Sequence, residues 1–261
     1  LIKKKIIEDE LRLQPGWNLS ATEKISQNKC FNKDKEISLS DKIIVASSFT
    51  AKSLELYKEN LKSEIKIVPY GVDCPEKNEI NKRRENDEFK LIFVGRPTLS
   101  KGIQYLVQIL EKVDFPWKLE IAGSLPENPI QISEKLNSFF KNPRCNFIGQ
   151  VPNRKLIERM KRNHLFIFPS LFEGFGQVLL EALSCSLPVI TTVNTGGYDI
   201  INNGKDGFIT PIRDTEKTIE ILNNLYQNEE LRRSIAEKAF LKANSFTWSR
   251  YQSEINKIVK I

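Results

Sequence analysis

Short, largely apolar runs alternate with helix-periodic stretches from residue 90 to residue 210. The runs are 90–94, 118–122, 145–148, 165–168, 189–191 and 207–210, and residues 103–113, 130–140, 154–161 and 177–184 between them carry apolar residues at helical spacing. A strand buried on both faces reads as such a run, without the alternation of a half-exposed strand. Strand–helix–strand alternation predicts a parallel sheet covered by helices on both faces. Helices are also predicted over 216–226, 229–243 and 248–259. In sheets of this kind ligands bind beyond the carboxyl ends of the strands, so the loops there carry the chemistry.

The chain upstream is organised differently. Residues 1–37 are polar and poorly periodic, with a turn at Pro15-Gly16-Trp17, and do not read as a domain. Strands are predicted over 43–46 and 65–68, with a helix over 49–57 between them capped by Ser47 or Ser48. Pro69-Tyr70-Gly71-Val72-Asp73 ends the second strand, and the charged stretch up to residue 88 reads as a linker.

Composition narrows the possible functions. With 40% hydrophobic and 28% charged residues in a chain of 261, a packed core is expected rather than disorder. No apolar run approaches the roughly 20 residues of a membrane span. Nor does a secretory apolar segment follow Lys3-Lys4-Lys5. Cys30, Cys74, Cys145 and Cys185 are dispersed and the chain has one histidine, so a zinc site is not expected and a reducing, cytoplasmic setting is. The net charge of +7 favours anionic partners such as phosphates or anionic lipid. Nucleic acid is not expected, because no basic patch is interleaved with aromatic residues.

Two loops concentrate the candidate chemistry. In Glu173-Gly174-Phe175-Gly176-Gln177 the glycines sit between an apolar strand and an apolar helix, and Glu181 lies five residues into that helix. Gly176 and Gln177 open the helix, whose free N–H groups and dipole attract a phosphate. Glu181 would then stand about 7 Å along the axis, within reach of a ribose diol. Glu173 faces the other side, where a sugar's hydroxyls would lie. In Gly95-Arg96-Pro97-Thr98-Leu99-Ser100-Lys101-Gly102, Gly95 permits the turn off a strand and Ser100 is placed to cap a helix beginning near Lys101. Arg96 offers a planar fork and Lys101 a point charge, a pair suited to a diphosphate. The Lys-Gly order departs from a P-loop, which needs Ser or Thr after the lysine. A dinucleotide fingerprint fails for want of a third glycine, and its acidic residue comes too early. A two-carboxylate glycosidase would need both carboxylates to flank one glycosidic bond, which the phosphate-type loop and the Arg96/Lys101 pair argue against. His164 precedes a buried strand and reads as structural.

Taken together these residues resemble the donor-binding half of retaining glycosyltransferases of family 4, with the GT-B fold. The likeness rests on Gly95-Arg96 with Lys101-Gly102, Pro169-Ser170, and Glu173-Gly-Phe-Gly with Glu181. Pro69-Tyr70-Gly71-Val72-Asp73, Asn146-Phe147-Ile148-Gly149, Thr195-Gly196-Gly197, Asn203-Gly204, Asp206-Gly207-Phe208 and Phe246-Thr247-Trp248 add to it. The resemblance covers about residues 38–261. It implies a Rossmann-like α/β sheet as the C-terminal half of a GT-B fold, preceded by a remnant of the N-terminal domain. Residues 1–73 would be the tail of that acceptor-side domain and its interdomain turn. Residues 74–88 would be the linker, 89–245 the donor domain and 246–261 a terminal helix.

It also implies roles. Arg96 and Lys101 would bind the donor diphosphate and assist its departure, with Glu173 on the transferred sugar. Gly95, Phe175, Gly176 and Gln177 would approach the phosphate or sugar, Glu181 the ribose, and the residues from Gly149 to Val151 the base. No metal or other cofactor is expected, because cations and a helix end take its place. Partners would be a nucleoside-diphosphate sugar and a glycan or lipid-linked acceptor in polysaccharide biosynthesis, with peripheral contact at the inner membrane face. Asp199 stands where many relatives carry glutamate. Only 72 residues precede Asp73, against a family N-terminal domain of roughly 150–200. Leu1 in place of Met points the same way, so the chain is expected to bind donor and to transfer nothing on its own. The alternative is a non-catalytic nucleotide-sugar-binding or interaction module.

Overall fold

The apolar runs pair side by side as one parallel sheet in a computed structural model, which describes residues 2–15, 17, 27–57, 61–76, 88–125 and 133–259. Upstream of the sheet come α1 (Ile2–Leu13), α2 (Gln27–Leu39), β1 (Lys42–Val45), α3 (Ser48–Tyr57) and β2 (Glu64–Ile67). The sheet and its helices follow as β3 (Phe89–Val94), α4 (Ile103–Lys112), β4 (Trp117–Ala122), α5 (Glu134–Phe140), β5 (Cys145–Gly149), α6 (Asn153–Met160), β6 (Leu165–Phe168), α7 (Gln177–Ser184), β7 (Val189–Thr192), α8 (Gly197–Ile200) and β8 (Phe208–Thr210). Helices α9 (Thr215–Gln227), α10 (Glu229–Ala243) and α11 (Trp248–Val259) close the chain. The predicted α5 begins among residues outside those described, as does most of the predicted linker.

Strand order is β5-β4-β3-β6-β7-β8 with every pairing parallel. The chain lays down β3, moves outward through β4 and β5, then returns to place β6 on the other side of β3. That reversal leaves a crevice at the carboxyl ends of β3 and β6, where the adjoining crossovers go to opposite faces. All four residues of β6 are buried, as are those of β7. Burying an aliphatic or aromatic side chain of this kind stabilises by about 1.5–3 kcal/mol. The β6–β7 pair is therefore a rigid support for the loop after β6.

β1 and β2 form a separate two-stranded parallel sheet, with α3 as its crossover. Ser47 caps α3, accepting from the Thr50 N–H at 3.1 Å. Several contacts join this unit to the larger one, two of them through the turn after β2. Val72 N–H donates to the Phe246 carbonyl at 2.8 Å, and Tyr70 packs against Phe175, Trp248 and Tyr251.

The stretch 1–37, which reads as polar and poorly periodic, contains α1 and most of α2. The inward side of α1 carries Ile6 and, one turn later, a fully buried Glu10. A carboxylate where the pattern calls for an apolar residue conceals the helical period. His164 sits at the amino end of β6, away from the crevice. Its Nδ1 accepts from the Lys90 N–H at 2.9 Å and its ring stacks on Phe89.

Candidate functional site

Two loops, one from β3 and one from β6, meet across the crevice. After β3 the chain passes Gly95, whose N–H donates to the Ala122 carbonyl at 2.8 Å, and leaves Arg96 exposed. A 3-10 turn over Leu99–Lys101 follows, and α4 starts only after Gly102. Ser100 does not cap this helix, contrary to expectation. It lies inside the 3-10 turn, its hydroxyl 2.9 Å from Thr98 Oγ1. Its carbonyl accepts from the Leu171 N–H at 2.9 Å and the Ser170 hydroxyl at 3.0 Å. The serine thus ties the two loops together instead of starting a helix. Lys101 Nζ forms an ion pair with Glu173 and lies 5.5 Å from the Phe168 ring centroid.

The β6 loop is held from three directions. Glu173 N–H donates to the Asn194 carbonyl at 2.9 Å. The Gly174 carbonyl accepts from the Ser47 hydroxyl and, at 2.7 Å, from that of Thr50. The Phe175 carbonyl accepts from Gly196 N–H at 2.8 Å while its buried ring meets Tyr70 edge-on. Gly176 has φ 82° and caps α7 without a side-chain hydrogen bond. A Cβ there would press on Glu173 Cγ at 3.2 Å and Leu179 Cδ1 at 3.3 Å. The first N–H groups of a helix lack intrahelical partners and carry its positive dipole end, which suits an anion. Gln177 turns away from the loop: its amide donates to the Gly71 carbonyl at 2.7 Å, and its Oε1 is buried without a protein partner.

Glu181 is half-buried on α7 and accepts from Asn153 Nδ2 at 2.7 Å. Burial raises its pKa above the ordinary carboxyl value, an effect that the Asn153 bond partly offsets. Asn153 opens α6, just beyond Gly149 and Val151. Nothing in the sequence marks it, because a lone asparagine at a helix start is an ordinary feature. Gly149 has φ 70° with open space around it, and Val151 rests against the core. Asp199 accepts from the Ser48 N–H at 3.0 Å, and burial raises its pKa as well.

The geometry brings Lys101 and Glu173 into contact and sets Glu181 further along α7, bonded to α6. Such a crevice offers cations and a helix N-terminus at one point and a carboxylate over a turn away. Among the described residues no group of three or more His, Cys, Asp or Glu is arranged to hold a metal ion. No helix among them is long and apolar enough to cross a membrane.

A model of the family described as glycosyl transferases group 1 matches residues 75–242. The capsular polysaccharide biosynthesis glycosyltransferase CapM of Staphylococcus aureus is 30% identical over 239 residues, covering 85% of this chain and 60% of that protein. Among solved structures, sucrose-phosphate synthase of Thermosynechococcus elongatus superposes with a TM-score of 0.76 at 19% identity, covering 91% of this chain and 63% of its own. Anabaena HepE in complex with UDP superposes with a TM-score of 0.75 at 20% identity, covering 93% and 70%. At these identities the structural likeness concerns the fold, which is the Rossmann-like α/β arrangement expected from the sequence.

Proposed function

The chain belongs to the glycosyl transferases group 1 family, and from that premise we propose that its crevice binds a nucleoside-diphosphate sugar for retaining transfer to a glycan or lipid-linked acceptor. The observation that carries this reading is the meeting of Lys101 and Glu173 beside the N-terminus of α7, with Glu181 further along the same helix. Lys101, Arg96 and the helix end take the diphosphate, and their positive charge stabilises it as a leaving group. Glu181, oriented by Asn153, accepts hydrogen bonds from the ribose hydroxyls. Glu173 contacts the transferred sugar, and the backbone from Gly149 to Val151 lies against the base. Anabaena HepE, whose fold this chain shares, was solved with UDP bound, which supports a diphosphate in the corresponding place. The chain spans 60% of CapM, so we assign donor binding to this chain and transfer to a protein of the relatives' length. No metal or cofactor enters this proposal.

Titration of the chain with UDP-, GDP- and ADP-sugars by calorimetry tests it. Saturable binding of one nucleotide series is expected, and no binding across all three rejects the site.

The pH dependence is also expected to have a definite sign. Ribose hydroxyls donate to the ionised form of Glu181, and burial raises its pKa. Nucleotide affinity should therefore fall as pH is lowered through that raised pKa, at a higher pH than an ordinary carboxyl would give. Stability moves the other way. The folded state holds this proton more tightly than the unfolded state, so the contribution of Glu181 is most favourable below the unfolded pKa and is lost as pH rises through the folded pKa. The affinity difference between wild type and Glu181→Gln isolates the effect from titration of the nucleotide itself. A pH-independent difference would exclude Glu181 from the ribose site.

A further inference from the structure

A helix can pack against a sheet domain with apolar residues alone, yet α1 inserts a carboxylate. Glu10 is 0% exposed. Its Oε1 accepts from Arg213 Nε at 2.5 Å, and its Oε2 accepts from the Tyr105 hydroxyl at 2.8 Å and from Gln104 Nε2 at 2.9 Å. Burying a carboxylate costs several kcal/mol before its partners offset the loss. Arg213 adds backbone strain, with φ 70° in a non-glycine residue. Gln104 Oε1 and Arg213 Nη2 remain buried without a protein partner. An apolar residue at position 10 would avoid the cost of burying a carboxylate only by leaving Arg213, Tyr105 and Gln104 without their shared buried acceptor, so the four side chains act as one unit.

The partners of Glu10 lead to the donor loops. Gln104 lies in the first turn of α4, and its Nε2 also donates to the Leu99 carbonyl at 3.2 Å. Leu99 opens the 3-10 turn that ends at Lys101. The middle residue of that turn, Ser100, receives the Leu171 N–H from the β6 loop. One helical turn before Glu10, Ile6 packs in a cluster with Tyr105 and Leu171, and Phe172 borders that cluster immediately before Glu173. The Tyr105 hydroxyl stays protonated as a donor, its pKa pushed up to about 12 by burial and by the neighbouring carboxylate.

We propose that Glu10 is a positioning residue of the donor site, which couples α1 to the loops carrying Lys101 and Glu173 and so makes diphosphate affinity depend on a segment outside the sheet domain. This rests on the donor-binding function proposed above. It makes α1 a sensor of site occupancy: a bound diphosphate that fixes Lys101 also tightens the seat of Glu10, and the coupling is reciprocal.

Wild type, Glu10→Leu and Glu10→Gln would be compared by calorimetric titration with UDP, GDP and ADP, by melting temperature, and by hydrogen exchange of peptides covering residues 2–13, 99–106 and 171–181. The expected result for Glu10→Leu is a lower melting temperature, because three donors lose their buried acceptor, with roughly tenfold weaker diphosphate binding and faster exchange in both loops. Glu10→Gln should be intermediate, and diphosphate should slow exchange in α1 of the wild type. Tyr105→Phe, which deletes one bond to Glu10, replaces Glu10→Leu should the latter not fold. Unchanged affinity and unchanged loop exchange in a folded variant overturn the proposal, as does an affinity loss of the same size in the destabilised control Gly204→Ala. If the wild type binds none of UDP, GDP and ADP, the donor reading fails. The exchange data then decide the positioning role alone, and unchanged loop exchange overturns it.

Discussion

Lys101→Ala is expected to weaken nucleoside-diphosphate binding about 100-fold, roughly 2.7 kcal/mol. Two effects add in the same direction. The substitution removes a charge-assisted bond to phosphate, which is among the stronger polar interactions. It also leaves Glu173 without its ion-pair partner, a partly buried anion facing the incoming diphosphate. Glu181→Ala lacks that second effect, so its expected loss is smaller, about tenfold. Calorimetry on both variants checks the assignment, and unchanged affinity in both would reject the site.

Gly102→Ala is expected to lower stability by about 3 kcal/mol or more, from left-handed backbone strain plus overlap in a packed interior. Gly102 has φ 70°, and a Cβ built there would overlap the carbonyl oxygen of Pro169. The overlap is with backbone, and β6 cannot yield because it is buried on both faces. For a chain of this size that loss lowers Tm by roughly 6–12 °C. Gly204 supplies the control. Its φ is 77° but nothing lies within 4 Å of its Cβ position, so Gly204→Ala should carry the strain alone, on the order of 1 kcal/mol. Equal Tm losses in the two variants would show that Gly102 and Pro169 are not in contact.

The inner strands of the sheet were legible in the sequence because a strand buried on both faces admits few polar residues. Leu165-Phe166-Ile167-Phe168 admits few other readings, and the structure places β6 on those residues. The loops at the crevice were legible through their glycines, and Gly95 and Gly176 have positive φ. What escaped depended on contacts between distant residues. Ser100 looks like a cap because serine before a helix usually is one, but its hydroxyl had a nearer partner in Thr98. Asn153 gives no local sign of its bond to Glu181, 28 residues away. Glu10 misled more strongly, since a charged residue in a polar segment reads as surface. Its burial is explained by Arg213, which lies 203 residues downstream, and by Tyr105 and Gln104, 95 and 94 residues away.

The Gly174 carbonyl takes its hydroxyl donors from Ser47 and Thr50, which precede it by 127 and 124 residues. Such pairing bears on heredity as much as on structure. A recombination event falling between residues 77 and 87 would bring a foreign glycine loop to these hydroxyls, or foreign hydroxyls to this loop. Grafts made there should succeed best when the parent supplying the upstream segment carries Ser or Thr at both positions. In a lineage, the loop around position 174 can therefore drift while positions 47 and 50 are held to Ser or Thr, because the acceptor is a backbone carbonyl that every residue carries.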